Sequence, residues 1–184
     1  MRQMVMTTDN KWVLALAGVA IALVNTALFS VYLAPDGNET LTTLFDVSLF
    51  AGLALLFVLA IIALVLHNSS ARCNPVRERQ VMLIIKLGLV PFYLFGGMLI
   101  FVLMVIPATA LMTPLLAAAG WLVMLTGSVW AICYALSMRK AGMTSGGAAA
   151  LFIVMQFFFV LDVVAALVMF FLGRSREKAA EAGA

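Results

Sequence analysis

Two charged residues, Lys86 and Asp162, lie inside long apolar stretches of the sequence and are its strongest candidates for chemistry. An aspartate near the centre of a membrane helix costs on the order of 2.5–3.5 kcal/mol on insertion scales. Asp162 must therefore be protonated, paired or in contact with water. Lys86 has a long side chain that can reach back to the lipid headgroups, which would make its role structural. The pattern predicts a proton site, an ion site or a partner-binding residue at Asp162. The alternative is a neutral carboxylic acid that is hydrogen-bonded to a neighbouring backbone carbonyl or hydroxyl.

Two amides and a proline accompany these charges. Asn25 and Gln156 lie inside the first and last apolar stretches, and such amides form interhelical hydrogen bonds worth about 0.6–2 kcal/mol. We expect them to be hydrogen-bond partners of Asp162. Pro91 removes the backbone hydrogen bond to the carbonyl of Leu87 and predicts a helix kink near Lys86. A charged side chain beside a broken helix is an arrangement that ion and substrate sites also use.

The composition identifies the elements that must position these residues. Of 184 residues, 65% are hydrophobic and 10% charged, and the mean hydropathy is +1.16, which excludes a soluble globular fold. A bilayer core about 30 Å thick needs roughly 20 apolar residues per helix. The sequence therefore predicts an all-α, polytopic transmembrane bundle, as one domain with a flexible tail over 173–184. Its five predicted spans are 13–33, 45–66, 81–106, 115–137 and 148–172.

The basic residues predict the orientation, because Lys and Arg are enriched in cytoplasmic loops. A cytoplasmic N-terminus places seven of them inside, namely Arg2, Lys11, Arg72, Arg77, Arg79, Arg139 and Lys140. Five crossings then put the C-terminus outside, with Arg174, Arg176 and Lys178. The alternative is a fifth segment that enters and returns without crossing. If the fifth segment instead crosses the membrane straight, Asp162 and Lys86 differ in depth by roughly 13 Å, which is too far for an ion pair without tilt or a bridging water.

Small residues at four-residue steps predict where helices touch. The first predicted helix carries Gly18, Ala22, Thr26 and Ser30, and the fourth carries Gly127, Ala131 and Ala135. We expect these stripes to pack within the molecule. The alternative is a seam with a second copy or with another membrane protein.

Little in the sequence is typical of an enzyme. There is one histidine, His67, which is expected to cap the second helix, and the two cysteines lack metal-binding spacing. No Ser, His and Asp set and no paired carboxylates within a helix are recognisable. We therefore expect no catalysis, no cofactor and no metal. The net charge of +3 is spread over the connections between helices, so a nucleic-acid partner is not expected.

Three segments carry a resemblance. KLGLVPFYLFGG at 86–97, the stretch 127–141 and VMQFFFVLDVV at 154–164 resemble uncharacterised small polytopic membrane proteins of Gram-positive bacteria. The resemblance covers roughly 81–171. It implies a bacterial plasma-membrane location and a shared pattern that includes Lys86, Pro91 and Asp162, but it implies no reaction.

Two functions follow from these features. The first is a non-enzymatic accessory, regulatory or structural module of the cell membrane, in contact with lipids and with a membrane-protein partner or a second copy. The second is a small channel or an ion- or proton-coupled transporter acting as an oligomer. They differ in whether Asp162 titrates or conducts.

Overall fold

The computed structural model describes residues 8–33, 39–68, 75–106 and 113–182, and these ranges contain helices and no strand. Arg2, Arg72 and Cys73 lie outside the described residues. The helices are α1 (Thr8–Leu33), α2 (Glu39–Asn68), α3 (Pro75–Gly88), α4 (Val90–Val105), α5 (Thr113–Lys140), α6 (Gly146–Met155) and α7 (Phe159–Ala182).

Four helical segments are long and apolar enough to cross a membrane: Lys11–Ser30, Thr42–Asn68, Pro75–Val105 and Thr113–Lys140. They correspond to the first four predicted spans, and α3 and α4 together form the third. The predicted helical architecture is therefore confirmed, whereas five crossings are not. The fifth predicted span, 148–172, is divided between α6 and α7.

The four spans alternate in direction and define two ends of the bundle. One end of the bundle, where α1 and α3 begin and where α2 and α5 end, is called proximal. There, Ser137 near the end of α5 donates a hydrogen bond to Glu78 near the start of α3. The opposite end, where α4 finishes and α5 begins, is called distal.

Helix α6 enters from the proximal end. A Cβ built on Gly146 would lie 3.6 Å from Nε of Arg139, and ten residues later the carbonyl of Gln156 lies 3.4 Å from Oγ of Ser128. α6 therefore runs antiparallel to the last part of α5. Its ten residues rise about 15 Å, which is half of a bilayer core about 30 Å thick.

Helix α7 runs back in the opposite direction. Asp162 in its first turn contacts Lys86 and Ser128, whereas Gly173 lies against Tyr134 and Arg79, close to the proximal ends of α5 and α3. The guanidinium of Arg79 also lies 5.5 Å from the ring centroid of Phe170. α6 and α7 thus form a hairpin that enters and returns at the proximal end, as in the alternative that the sequence left open.

This return corrects two expectations. The C-terminal part of α7 lies at the same end of the bundle as the start of α1, rather than at the opposite end. The depth difference of about 13 Å between Lys86 and Asp162 assumed a straight crossing. In the structure the chain has already turned back before Asp162, which brings the two side chains together.

The turn between the two helices involves residues 156–158. The backbone N–H groups of Gln156, Phe157 and Phe158 donate to carbonyls three residues earlier, at 3.1–3.2 Å, so the last turn of α6 is tightened. Residues 157–159 are three consecutive phenylalanines, which have lower helix propensity than Leu or Ala. Without Pro or Gly in the segment, the sequence predicts an unbroken helix.

The residues after Gly173, expected to form a flexible tail, continue α7 as helix to Ala182. The sequence REKAAEA favours this continuation, because Arg, Glu, Lys and Ala are strong helix formers.

The two predicted small-residue stripes differ in their use. On α5, Gly127 packs against α3, where its Cβ position lies 3.1 Å from Cγ2 of Ile85. On α1, the buried face is instead formed by Ala17, Ala20, Val24 and Ala27, and Gly18, Ala22 and Thr26 are exposed. A Cβ added to Gly18 would meet no atom within 4 Å. Most of the α1 stripe is therefore not used for packing within the described chain.

Candidate functional site

A buried ion pair between Lys86 on α3 and Asp162 on α7 forms the candidate site. The Lys86 ammonium donates to both carboxylate oxygens of Asp162, and both residues have 0% exposure. Lys86 was expected to extend toward the headgroups, yet its side chain points into the bundle. The cost of burying each charge is offset by the other, because a paired charge needs less solvation by water.

Ser128 on α5 completes the site. Its Oγ accepts the third hydrogen bond of the Lys86 ammonium at 2.7 Å, so all three ammonium protons have acceptors. The Ser128 hydroxyl also lies 2.7 Å from the Met124 carbonyl and 3.3 Å from Oδ1 of Asp162. The site therefore connects three helices, α3, α5 and α7, through one cluster of hydrogen bonds.

Sequence reasoning missed Ser128. A serine inside an apolar helix ordinarily bonds the carbonyl four residues earlier, which satisfies it locally and gives no long-range signal. The signal that was available is its place next to Gly127 on the buried, small-residue side of α5.

The two amides do not bind Asp162 as expected. Asn25 donates to the carbonyl of Gly88 at 2.9 Å and to that of Ile21 at 3.0 Å, so it joins α1 to α3. Gln156 is buried, and its side-chain amide donates to the Phe152 carbonyl at 3.4 Å within its own segment. Only the backbone carbonyl of Gln156 reaches the site, through Ser128.

The helix assignment is interrupted at Leu89, where α3 ends and α4 begins with Pro91 at its second position. This is the segment where Pro91 predicts a kink, because the missing N–H of Pro91 leaves the Leu87 carbonyl without its helical donor. The Asn25 side chain binds the neighbouring Gly88 carbonyl. This bond joins α1 to α3 next to the interruption, about one turn above Lys86.

A second polar cluster lies at the proximal end and was not predicted. Glu78 of α3 lies 3.1 Å from Nδ1 of His67 on α2 and accepts a hydrogen bond of 2.5 Å from Ser137 on α5. Lys140 lies 3.2 Å from Nε2 of His67. Since an ammonium only donates, Nε2 accepts this bond and Nδ1 carries the proton that Glu78 accepts. His67, expected as a helix cap, instead joins α2 to α3 and α5.

This cluster contains a serine, a histidine and a carboxylate, but it does not have the geometry of an activated nucleophile. In a catalytic triad the histidine accepts the serine proton on one ring nitrogen and is held by the acid through the other. Here Ser137 donates to Glu78, and Nε2 of His67 is occupied by Lys140. The cluster therefore ties helix ends together and leaves the serine unactivated.

No three His, Cys, Asp or Glu side chains within the described ranges are close enough to hold an ion.

Comparison with known proteins gives one match. No curated protein and no solved structure matches the chain. The model of a family of unknown function matches residues 8–177, which include helices α1 to α6, α7 as far as residue 177, and both polar clusters. The chain therefore belongs to the family of unknown function DUF6652.

Proposed function

We propose that the protein is a non-enzymatic helical module of a bacterial plasma membrane that associates with another membrane component. In this proposal the intramembrane charges hold the α6–α7 hairpin in place, and the protein acts through contacts with a partner. The family match carries no activity, so the proposal rests on geometry and on the resemblance to small bacterial membrane proteins.

The Lys86–Asp162 pair is the observation that carries this proposal. A site that conducts ions or relays protons needs polar groups that remain available to a moving charge. In this site the ammonium uses all three donors, and both residues have no exposed surface. Such an arrangement is suited to fixing a short hairpin inside the bundle, since each charge would be costly alone.

The exposed stripe on α1 supports a partner. Gly18, Ala22 and Thr26 lie on one face of α1 and are not covered by the described helices. Small residues let membrane helices approach closely, which is the usual basis of their association in lipid.

The distribution of charge supports a cytoplasmic proximal end. In the described residues, every Lys and Arg except Lys86 belongs to the proximal parts of the helices: Lys11, Arg77, Arg79, Arg139, Lys140, Arg174, Arg176 and Lys178. With α7 returning, the three C-terminal basic residues no longer contradict the positive-inside rule. Both the start of α1 and the end of α7 are then cytoplasmic.

The alternative is an oligomeric channel or proton-coupled transporter. It is favoured by one observation, namely that the Lys86–Asp162 pair joins the first turn of α7 to α3. Protonation of Asp162, or replacement of the Lys86 ammonium by another cation, would release the hairpin. Asp162 would then be the coupling residue.

One experiment in two steps separates these functions. The protein is first extracted from its native membrane in a mild detergent by a terminal tag, and the mass and composition of the particle are measured. We expect a second component in fixed stoichiometry, and a Gly18→Leu variant is expected to lose it. A particle that contains a single copy of this chain and nothing else would contradict the module.

The second step measures proton and cation flux in liposomes. The wild-type protein and Asp162→Asn are expected to give the same background flux. Flux that the wild type carries and that a folded Asp162→Asn protein, verified by thermal unfolding, does not carry would establish the transporter instead.

A further inference from the structure

A cavity of about 820 Å³ lies in the distal half of the bundle. It is lined by α1, α2, α4 and the beginning of α5, and the first turns of α7 form its floor through Val160, Val163 and Val164. It exists because the hairpin of α6 and α7 fills only the proximal half. A fifth helix that crossed the bilayer would occupy this space.

The walls of the cavity are apolar. Aliphatic and aromatic side chains and glycine backbone line it, and among the described lining residues Tyr93 alone has a polar side chain. Water in such a site would lack the two to four polar partners that it needs, so it is disfavoured there. The apolar walls therefore favour a hydrocarbon ligand.

A glycine of the wall provides an independent indication of this space. Gly120 lines the cavity, and a Cβ added to it would meet no atom within 4 Å. Gly120 is nevertheless buried. A buried glycine with open space where a side chain would begin is unusual in protein interiors, which are close-packed. A bound molecule would supply the missing contacts.

The cavity opens toward the lipid-facing surface. Leu94 and Val160 line it and are 67% and 75% exposed, so the mouth is bordered by apolar side chains that face the surroundings. The cavity lies between apolar spans, where the surrounding solvent is lipid hydrocarbon. Its volume falls within the range of about 300–1,000 Å³ that is common for small-molecule sites.

We propose that this cavity binds one long hydrocarbon chain of a membrane lipid, either acyl or isoprenoid, with its length along α4 and its end above the hairpin. The bound chain replaces the packing that a fifth crossing would provide. This inference concerns a different part of the molecule from the Lys86–Asp162 site and does not depend on the proposed function.

The test uses cis-parinaric acid, a fluorescent polyene fatty acid, with the full-length protein purified and delipidated in a short-chain detergent. We expect saturable binding of one molecule per chain. The Gly97→Leu/Gly120→Leu variant places side chains in the cavity and is expected to bind at least about tenfold more weakly, because each leucine displaces several methylene groups of the ligand. Gly147→Leu is the matched control, since its added side chain also enters open space but lies outside the cavity.

The outcomes are distinguishable. Displacement by stearic acid in preference to geranylgeraniol assigns an acyl chain, and the reverse assigns an isoprenoid. A wild-type protein without saturable binding overturns the proposal, as does a cavity variant that binds as tightly as the wild type. Thermal unfolding verifies that each variant is folded. The single substitution Ala117→Leu in the cavity wall replaces the double variant if the latter does not fold, and it is expected to weaken binding in the same way.

Discussion

At the scale of single residues, the site depends on charges that satisfy one another. Lys86 and Asp162 are each costly inside a membrane, and the direct pair with Ser128 accounts for their coexistence. A buried ion pair stabilises a fold no more than well-packed apolar residues of similar volume would. Loss of one partner, however, is strongly destabilising because it leaves an uncompensated buried charge. This asymmetry distinguishes a structural pair from two unrelated residues.

Replacing Asp162 by Asn is therefore expected to lower the free energy of unfolding by about 3–5 kcal/mol, because Lys86 stays buried without its counter-charge. The double variant Lys86→Met/Asp162→Leu is expected to regain most of this loss, since no unpaired charge remains. Unfolding of the purified protein by denaturant in mixed micelles measures both.

Thr126→Ala is a suitable control for this comparison. Thr126 lies two residues before Ser128 on α5, and its hydroxyl donates to carbonyls of its own helix, so the expected change is below about 0.5 kcal/mol. A loss in the double variant that equals the sum of the losses in Lys86→Met alone and Asp162→Leu alone would show that Lys86 and Asp162 do not interact.

At the scale of elements, the return of α7 requires close packing against α5 and α3. Gly173 is the contact point, because a Cβ there would overlap the hydroxyl oxygen of Tyr134 and would lie 3.7 Å from Cδ of Arg79. α7 can descend along this path only if position 173 has no side chain. The sequence marked Gly173 as the end of the last span, whereas the structure uses it inside a longer helix.

Gly173→Ala is expected to destabilise the protein by about 1–3 kcal/mol, the usual effect of adding a methyl group to a packed core. Tyr134→Phe added to this variant is expected to restore part of the loss, since the next nearest atom is the Tyr134 Cζ at 3.1 Å. Thermal unfolding in detergent measures the change. Gly18→Ala, in open space on α1, should be neutral or slightly stabilising. A Gly173→Ala variant as stable as Gly18→Ala would contradict the observed path of α7.

At the scale of the whole molecule, four spans and one returning hairpin place the start of α1 and the end of α7 at the same end of the bundle. The charges follow this division: in the described residues the distal ends of the helices carry Glu39 and Asp46 but no Lys or Arg. The insertion signal and the folded arrangement therefore agree.

Cysteine labelling checks this topology. In a background with Cys73→Ala and Cys133→Ala, Arg176→Cys is expected to react with a membrane-impermeant maleimide only from the side that labels Lys11→Cys. Thr42→Cys, an exposed position at the start of the second span, is expected to react from the other side. Labelling of Arg176→Cys together with Thr42→Cys would show that α7 crosses the membrane.

Much of this architecture follows from composition. Runs of about 20 apolar residues must be helical in lipid, and the first four spans were therefore predictable from length alone. The importance of Lys86 and Asp162 was also evident, because a charge in an apolar run is costly wherever its helix lies. Pro91 indicated the interruption next to Lys86 for a similarly local reason, its missing N–H.

The tertiary structure was needed for everything that depends on direction and on contacts between distant residues. Residues 156–158 lack Pro and Gly, so no local sequence pattern predicts the turn between α6 and α7. The depth of Asp162, counted along a straight helix, was therefore wrong. Ser128, which satisfies its hydroxyl within its own helix, becomes part of the site only when α3 and α7 pack beside it. The distal cavity likewise has no sequence pattern, because it is the space that the returning hairpin leaves unfilled.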